Sequence, residues 1–281
     1  PQNQFIVEPE PRDTAPAIGL ATWTIAKRFG QDEAIITINS DQYVGDLVQY
    51  KKTLKQANEL IKKHPNQLVL IGVTPDYPET GFGYIKLGRK LGVVLGQDYF
   101  KVSQFTEKPA LATAKRYVTS GKYLWNPAFF VFRSGLMQEL YRKNLPQDAT
   151  QLDAIVKNPK LISKFFLKLT KISIDYAIME KANNLIVLPG SFAWLDVGNW
   201  QAVWQILEKQ KILPKALQIS VDKAKNLIYA SEDKLIATVG VSDSVIVDTK
   251  DVLLICHKES AARVKELITL LKKDNSFHKY L

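Results

Sequence analysis

Soft and redox-active side chains are scarce in this chain: its 281 residues include one cysteine, two methionines and three histidines. A lone cysteine excludes an intrachain disulfide. Cys256 lies in the apolar run "VLLICH", which marks it as a buried, inert thiol in a reducing, cytoplasmic setting. His64, His257 and His278 stand far apart and lack the short spacings of zinc ligands, so a zinc site is not expected. Long apolar runs are missing too. No stretch approaches the roughly 18 residues needed to cross a bilayer, and no signal-peptide pattern opens the chain, so no membrane partner is expected. Acidic residues are the minority charge, 28 Asp+Glu against 38 Lys+Arg, for a net charge of +10. The surplus falls on lysine-rich helical faces, "YKKTLKQANELIKKH" and "KELITLLKKDNSFHKYL". A nucleic-acid groove would interleave arginine with exposed aromatics instead. The excess reads as solubility with some attraction for anionic phosphates, and no nucleic-acid partner is expected.

What the chain does have is core material: 46% hydrophobic and 23% charged residues, as in a globular protein of one large domain or a large and a small one. It opens on Pro1 and "FIVEPEPRDTAPA", which reads as an entry into the middle of a domain. "FIV" (5–7) is a short strand, and "APAIGLATWTIAKRF" is a helix with Thr14 as cap and Pro16 in its first turn. "AIITI" (34–38) and "LVLIGV" (68–73) are strands buried on both faces. Between them, Leu47, Tyr50, Leu54, Ala57 and Ile61 recur at helical spacing. That alternation predicts a mostly parallel sheet covered on both faces. "GYIKLG", "YFKVSQFTEKP" and "NLIVLP" read as further strands, and "PALATAKRYVTSG", "SGLMQELYRKN" and "SIDYAIMEKA" as helices, the last capped by Ser173. After about residue 213 the texture changes to short β segments separated by polar turns, a sandwich or a few solenoid coils, closed by the basic helix "ESAARVKELITLLKKD". The boundary is placed near Leu213–Pro214.

Two carboxylates end apolar runs. Asp41, in "NSDQYV", follows "AIITIN"; in open α/β sheets ligands bind beyond the carboxyl ends of strands, but an Asp there can equally cap the next helix. Asp196, in "FAWLDVGNW", stands on a glycine-containing bend, where capping of the following helix is again the plain alternative. Two such Asp residues suit Mg²⁺, which takes one or two carboxylates plus phosphate and water oxygens. "TGFGYI" (80–85) places Gly83 where backbone can approach a ligand or simply turn a hairpin. Glu107 and Lys108 in "FTEKP" end a strand before Pro109; as strand neighbours they face opposite ways, so no pairing between them is expected. Asn126 in "WNPAFFVFR" offers a donor and an acceptor to a sugar hydroxyl, or serves as a turn residue. The glycines at 88, 92 and 96 read as loop and turn.

The order of these motifs is more specific than any one of them. "EPEPRDTAPAI", "NSDQYV", "TGFGYI", "FTEKP", "WNPAFFVFR", "SIDYAIMEK" and "WLDVGNW" form a series that resembles the mannose-1-phosphate guanylyltransferases of the sugar nucleotidyltransferase superfamily, over essentially the whole chain. The resemblance implies a Rossmann-like, GT-A-like α/β fold with a mixed sheet and helices on both faces over 1–213. It implies a small β-rich, solenoid-like domain with a closing helix over 214–281. It further implies the reaction of mannose 1-phosphate with GTP to give GDP-mannose and diphosphate, with Mg²⁺ as cofactor. Carried over by position, Asp41 and Asp196 would hold the Mg²⁺, and Lys108 would meet the sugar phosphate. Gly83, Glu107 and Asn126 would bind mannose, and Asp175 belongs to the same substrate group without a defined role. Glu8, Pro9, Thr14 and Ala15 would line the guanine pocket. A homodimer is left open. The rival readings are a nucleotidyltransferase for another hexose 1-phosphate and a non-catalytic nucleotide-sugar-binding regulatory subunit.

The sequence departs from that family pattern in three places. Asp13 and Gln42 stand where Asn and His are expected. The family's glycine-rich loop ending in Thr-Arg-Leu, followed by a Pro-Lys pair, is not found in residues 1–281. Such a loop cradles the triphosphate. The expectation is therefore that residues 1–281 alone do not turn over, and that "AIITI" and "LVLIGV" are left with an unpaired edge.

Overall fold

The computed structural model describes residues 4–210, 217–222, 225–231 and 233–280. The boundary expected at Leu213–Pro214 lies outside them. The chain divides into two compact units, Pro1–Ser40 with Val44–Trp194, and Asp41–Tyr43 with Leu195–Leu281.

The first unit contains helices α1 (Thr14–Phe29), α2 (Leu47–Lys63), α3 (Leu111–Ser120), α4 (Ser134–Asn144), α5 (Pro146–Lys157), α6 (Ile162–Phe166) and α7 (Ile174–Ala177). Its strands are β1 (Ala34–Ile36), β3 (Leu68–Val73), β4 (Gly83–Val94), β5 (Gln97–Thr106), β6 (Tyr123–Arg133) and β7 (Leu185–Gly190), and they form one sheet in the order β1-β6-β3-β7-β5-β4. A short ribbon pairs β2 (Gln42–Val44) with β8 (Trp194–Asp196) where the chain changes unit. The second unit continues with α8 (Trp200–Gln210), β9 (Leu217–Ser220), β10 (Leu227–Tyr229), β11 (Leu235–Thr238), β12 (Ser244–Asp248), β13 (Leu253–His257) and α9 (Val264–Leu271).

Strand β3 shows why the sheet is two-sided. Its residues are all buried, and alternate side chains go to opposite cores: Leu68 and Leu70 pack with Trp23 of α1, Met137 of α4 and Leu152 of α5. Val69 and Ile71 pack on the other face with Ala57 and Ile61 of α2 and Ala114 of α3. The sheet is mixed rather than mostly parallel. Among the described pairings of this sheet only β3 with β7 is parallel; β1–β6, β3–β6, β4–β5, β4–β6 and β5–β7 are antiparallel. The strand–helix alternation of the first hundred residues misled because β4 and β5 form a hairpin, turned at Leu95 and Gly96 with φ of 44° and 80°. Gly88 and Gly92 lie inside β4, not in a loop.

Other expectations are also corrected. "LVLIGV" is flanked on both sides, by β6 and β7; of "AIITI" only Ala34–Ile36 is strand, half-buried at the sheet edge and not buried on both faces. "FIV" has no strand partner among the described residues and stays exposed and irregular. The cap of α1 is Asp13 and not Thr14, which is the first helical residue. "SIDYAIMEKA" is not one helix. Ser173 does cap α7, but Ile178 leaves helical geometry at φ −127° and a 3₁₀ turn follows at Met179–Lys181. "ESAARVKELITLLKKD" likewise begins as a 3₁₀ turn and is α-helical only over Val264–Leu271.

In the second unit β9 pairs with β11 and β10 with β12, both parallel, and each register is offset by 18 residues (217 to 235, 227 to 245). Parallel self-stacking at a constant offset marks solenoid coils, to which β13 adds antiparallel to β12. Leu227, Val245 and Val247 form part of its core, with Trp200, Trp204 and Cys256 packed against it. Cys256 is half-buried rather than fully buried, and its surroundings push the thiol pKa up.

Candidate active site

The dull reading of both strand-end aspartates was a helix cap, and other residues hold those caps. Asp46 precedes α2, and its carboxylate accepts from the Val48 and Gln49 N–H groups at 3.1 and 3.0 Å. Asn199 precedes α8, and its side-chain oxygen accepts from the Ala202 N–H at 3.0 Å. Asp41 and Asp196 therefore cap neither helix. The Gly45 N–H donates to the Ala193 carbonyl at 2.8 Å, which joins the end of β2 to the start of β8. The ribbon is thus antiparallel, and Asp41 and Asp196 fall at the same end of it. Asp41 is exposed and Asp196 half-buried. The Asp196 carboxylate folds over Gly198: a Cβ there would lie 2.8 Å from Oδ2. Glycine in "DVG" keeps that space open. Two hard-oxygen donors at one ribbon end, one of them beside a glycine, are of the kind that fits Mg²⁺. Among the described residues no group of three or more His, Cys, Asp or Glu side chains is arranged around a common metal position, so phosphate and water oxygens would complete the shell.

A second cluster lies within the α/β unit. Register places Gly83 of β4 directly opposite Asn126 of β6. The buried Asn126 donates from Nδ2 to Asp175 Oδ1 at 2.8 Å, while its Oδ1 accepts from the Ala128 N–H at 3.1 Å. Glu107 follows β5 with its side chain 10% exposed. A side chain at Gly83 would run into the Glu107 carboxylate and crowd Asn126 Nδ2 at 3.3 Å, so only glycine admits this arrangement. Glu107 and Lys108 do pair, at 3.5 Å between Oε1 and Nζ, against expectation. Lys108 is not extended: at φ 47° the backbone turns back, held by its N–H donating to the Phe82 carbonyl at 3.2 Å.

Burial raises the Glu107 pKa from the ordinary 4.5 to about 7; the negative charges of Asp175 and Glu180 add to the rise and Lys108 opposes it. Burial also pushes the Asp175 carboxyl up, countered by the Asn126 hydrogen bond and the charge of Lys108, with a smaller upward push from Asp13. Glu107 Oε2 is buried and accepts no hydrogen bond among the described residues.

Thr14 and Ala15 tie the start of α1 to the segment that carries Asp175. The Ile174 N–H donates to Thr14 Oγ1 at 2.9 Å, and the Ala15 N–H to the Ile172 carbonyl at 3.1 Å. Glu8 is half-buried and Pro9 exposed, and the structure does not tie either to this cluster. Sequence reasoning missed Glu180. Its Oε1 accepts from the Glu107 N–H at 3.2 Å, and nothing in "IMEK" beyond its nearness to Asp175 signals that contact.

A mixed sheet covered on both faces, with a polar cluster at its strand ends, fits a nucleotidyltransferase-type α/β fold, and the chain belongs to the nucleotidyl transferase family, whose model matches residues 1–211. Residues 217–271 match the MannoseP isomerase/GMP-like beta-helix domain. Within that class it is similar to particular enzymes. Mannose-1-phosphate guanylyltransferase RfbM of Salmonella typhimurium is 34% identical, the match covering 97% of this chain and 58% of the relative. The mannose-1-phosphate guanylyltransferase of Escherichia coli strain K12 is 35% identical with the same coverages, 97% and 58%. The crystal structure of mannose-1-phosphate geranyltransferase from Thermus thermophilus is similar at a TM-score of 0.77 and 31% identity, covering 95% of this chain and 77% of that one. The chain thus spans 58% of the length of these curated relatives.

Proposed function

We propose that the protein carrying this chain is a GTP-dependent mannose-1-phosphate guanylyltransferase. The observation that carries the reading is the Asn126–Asp175–Glu107 cluster, a buried set of amide and carboxylate groups with one carboxylate oxygen left without a partner among the described residues. An unpartnered buried acceptor is costly unless a ligand donor meets it, and a sugar hydroxyl is such a donor. Glu107 and Asn126, with the backbone at Gly83, bind mannose hydroxyls; Asp175 fixes the Asn126 amide so that its remaining N–H points one way. Lys108, held beside Glu107 by its left-handed backbone, meets the sugar phosphate. Glu8, Pro9 and Thr14 are placed on the guanine side by the resemblance alone; Ala15 is fully buried, with its N–H on the Ile172 carbonyl and its own carbonyl on the Tyr141 hydroxyl, so it supports the segment and does not line a pocket.

The sugar-phosphate oxygen attacks the α-phosphorus of GTP; a new P–O bond forms as the bond to the β-phosphate breaks and diphosphate leaves. These residues contribute orientation and charge neutralisation, with no covalent intermediate on the protein. Asp41 and Asp196 would hold Mg²⁺, which when bound neutralises charge on the phosphates. The test is diphosphate release from GTP with mannose 1-phosphate or glucose 1-phosphate offered in competition. Preferential consumption of mannose 1-phosphate is expected. Preference for glucose 1-phosphate would overturn the sugar assignment, and binding of GDP-mannose without turnover would make the protein a regulatory binder.

A further inference from the structure

The turn that carries Glu107 and Lys108 is not self-supporting. Lys108 sits at φ 47°, a region that side-chain-bearing residues avoid unless their surroundings hold them there. Two backbone hydrogen bonds do so. The Lys108 N–H reaches the Phe82 carbonyl at 3.2 Å, and the Glu107 N–H reaches Glu180 Oε1 at 3.2 Å. The first comes from the adjacent strand entry; the second comes from 73 residues away. Glu180 is exposed, so its carboxylate gains little from that contact for stability alone, yet its base is rigid: Ile178 and Met179 are 0% exposed. The same short segment presents Asp175 to Asn126. One segment, Ile174–Lys181, therefore reaches both halves of the polar cluster, through Asp175 on one side and Glu180 on the other.

We infer that Glu180 is a positioning residue: its carboxylate fixes the Glu107–Lys108 turn in the shape that sets Glu107 over Gly83 and Lys108 at the sugar phosphate. This rests on the proposed reaction for its kinetic consequence and on geometry alone for the contact. Glu180 also acts on Glu107 by charge, along with Asp175 and Lys108, while Asp13 acts on Asp175. Gln and Ala at position 180 separate the two effects. Gln keeps an oxygen that can accept from the Glu107 N–H; Ala does not.

The experiment compares Glu180→Gln and Glu180→Ala in the whole protein by steady-state kinetics and by amide NMR of Glu107. Glu180→Ala should raise KM for mannose 1-phosphate by about tenfold, the order of one lost charge-assisted hydrogen bond, with KM for GTP within about twofold. Glu180→Gln should recover most of that loss at pH 8. Both variants should lower the pH at which Glu107 titrates from about 7, because both remove the Glu180 charge. The Glu107 amide proton should move in Glu180→Ala and stay close to its native position in Glu180→Gln. An unmoved amide in Glu180→Ala, or a Gln variant as impaired as the Ala variant, would overturn the assignment. Absence of turnover in the unmutated protein would count against the reaction instead, while the amide shift would still decide the positioning role.

Discussion

Two pairs of carboxylates carry the proposed chemistry, and they are built in opposite ways. Glu107 and Asp175 sit inside the α/β unit, tied to Lys108 and Asn126, and burial drives both toward their protonated forms. Asp41 and Asp196 close one end of a short ribbon, the first exposed and the second half-buried, with a glycine keeping room beside the second. The difference suits the ligand proposed for each pair. Hydroxyl groups are bound best where water is excluded and each hydrogen bond is strong. A hard cation keeps part of its water, so its ligands must be reachable by solvent and by phosphate oxygens.

The largest effect should come from the ribbon. Asp196→Asn keeps size and shape but removes the charge that would hold Mg²⁺; turnover should fall about 100-fold or more, with a melting temperature close to the native value. Activity within a few-fold of native at saturating Mg²⁺ would break the assignment. Lys108→Ala should act on the other group alone. Loss of a charge-assisted bond to phosphate is worth about 1.5–3 kcal/mol, read as a rise of roughly tenfold or more in KM for mannose 1-phosphate with KM for GTP unchanged.

Gly198→Ala sharpens the contrast at smaller scale. The added Cβ would stand 2.8 Å from Asp196 Oδ2, so the carboxylate must swing aside while its charge remains. The Mg²⁺ concentration needed for half-maximal turnover should rise by several-fold, less than the loss in Asp196→Asn. The smallest effect expected is one on stability. A carboxyl whose folded pKa lies above its unfolded value binds its proton more tightly when folded, so the native protein loses stability as pH rises from about 4.5 through about 7 at Glu107. Glu107→Gln carries no such titration. Its melting temperature should gain on the native protein between pH 5 and pH 8, and an identical pH dependence in the two would remove the buried charge from the account.

The sequence made some of this legible and hid the rest for physical reasons. "LVLIGV" and "SGLMQELYRKN" read correctly as β3 and α4, because burial on both faces and helical spacing leave marks in residue order. Strand direction leaves none, so the antiparallel partners of β6 and the hairpin of β4 and β5 were not visible. At the ribbon, Asp41 reads equally as a ligand beyond a strand end and as a cap of the following helix. Only the folded chain shows that Asp46 caps α2 and Asn199 caps α8. The Glu107–Lys108 pair was missed because a strand-end lysine is extended by default, and its left-handed turn depends on bonds from Phe82 and Glu180 that no local pattern encodes.

The separation of the two carboxylate groups is most directly tested by a Mg²⁺ titration of turnover on Asp196→Asn and Asn126→Ala, side by side at saturating mannose 1-phosphate. The account predicts that Asp196→Asn shifts the half-saturating Mg²⁺ concentration upward by about tenfold or more, while Asn126→Ala leaves it at the native value. Equal shifts in the two variants, or a native Mg²⁺ requirement in Asp196→Asn, would contradict it.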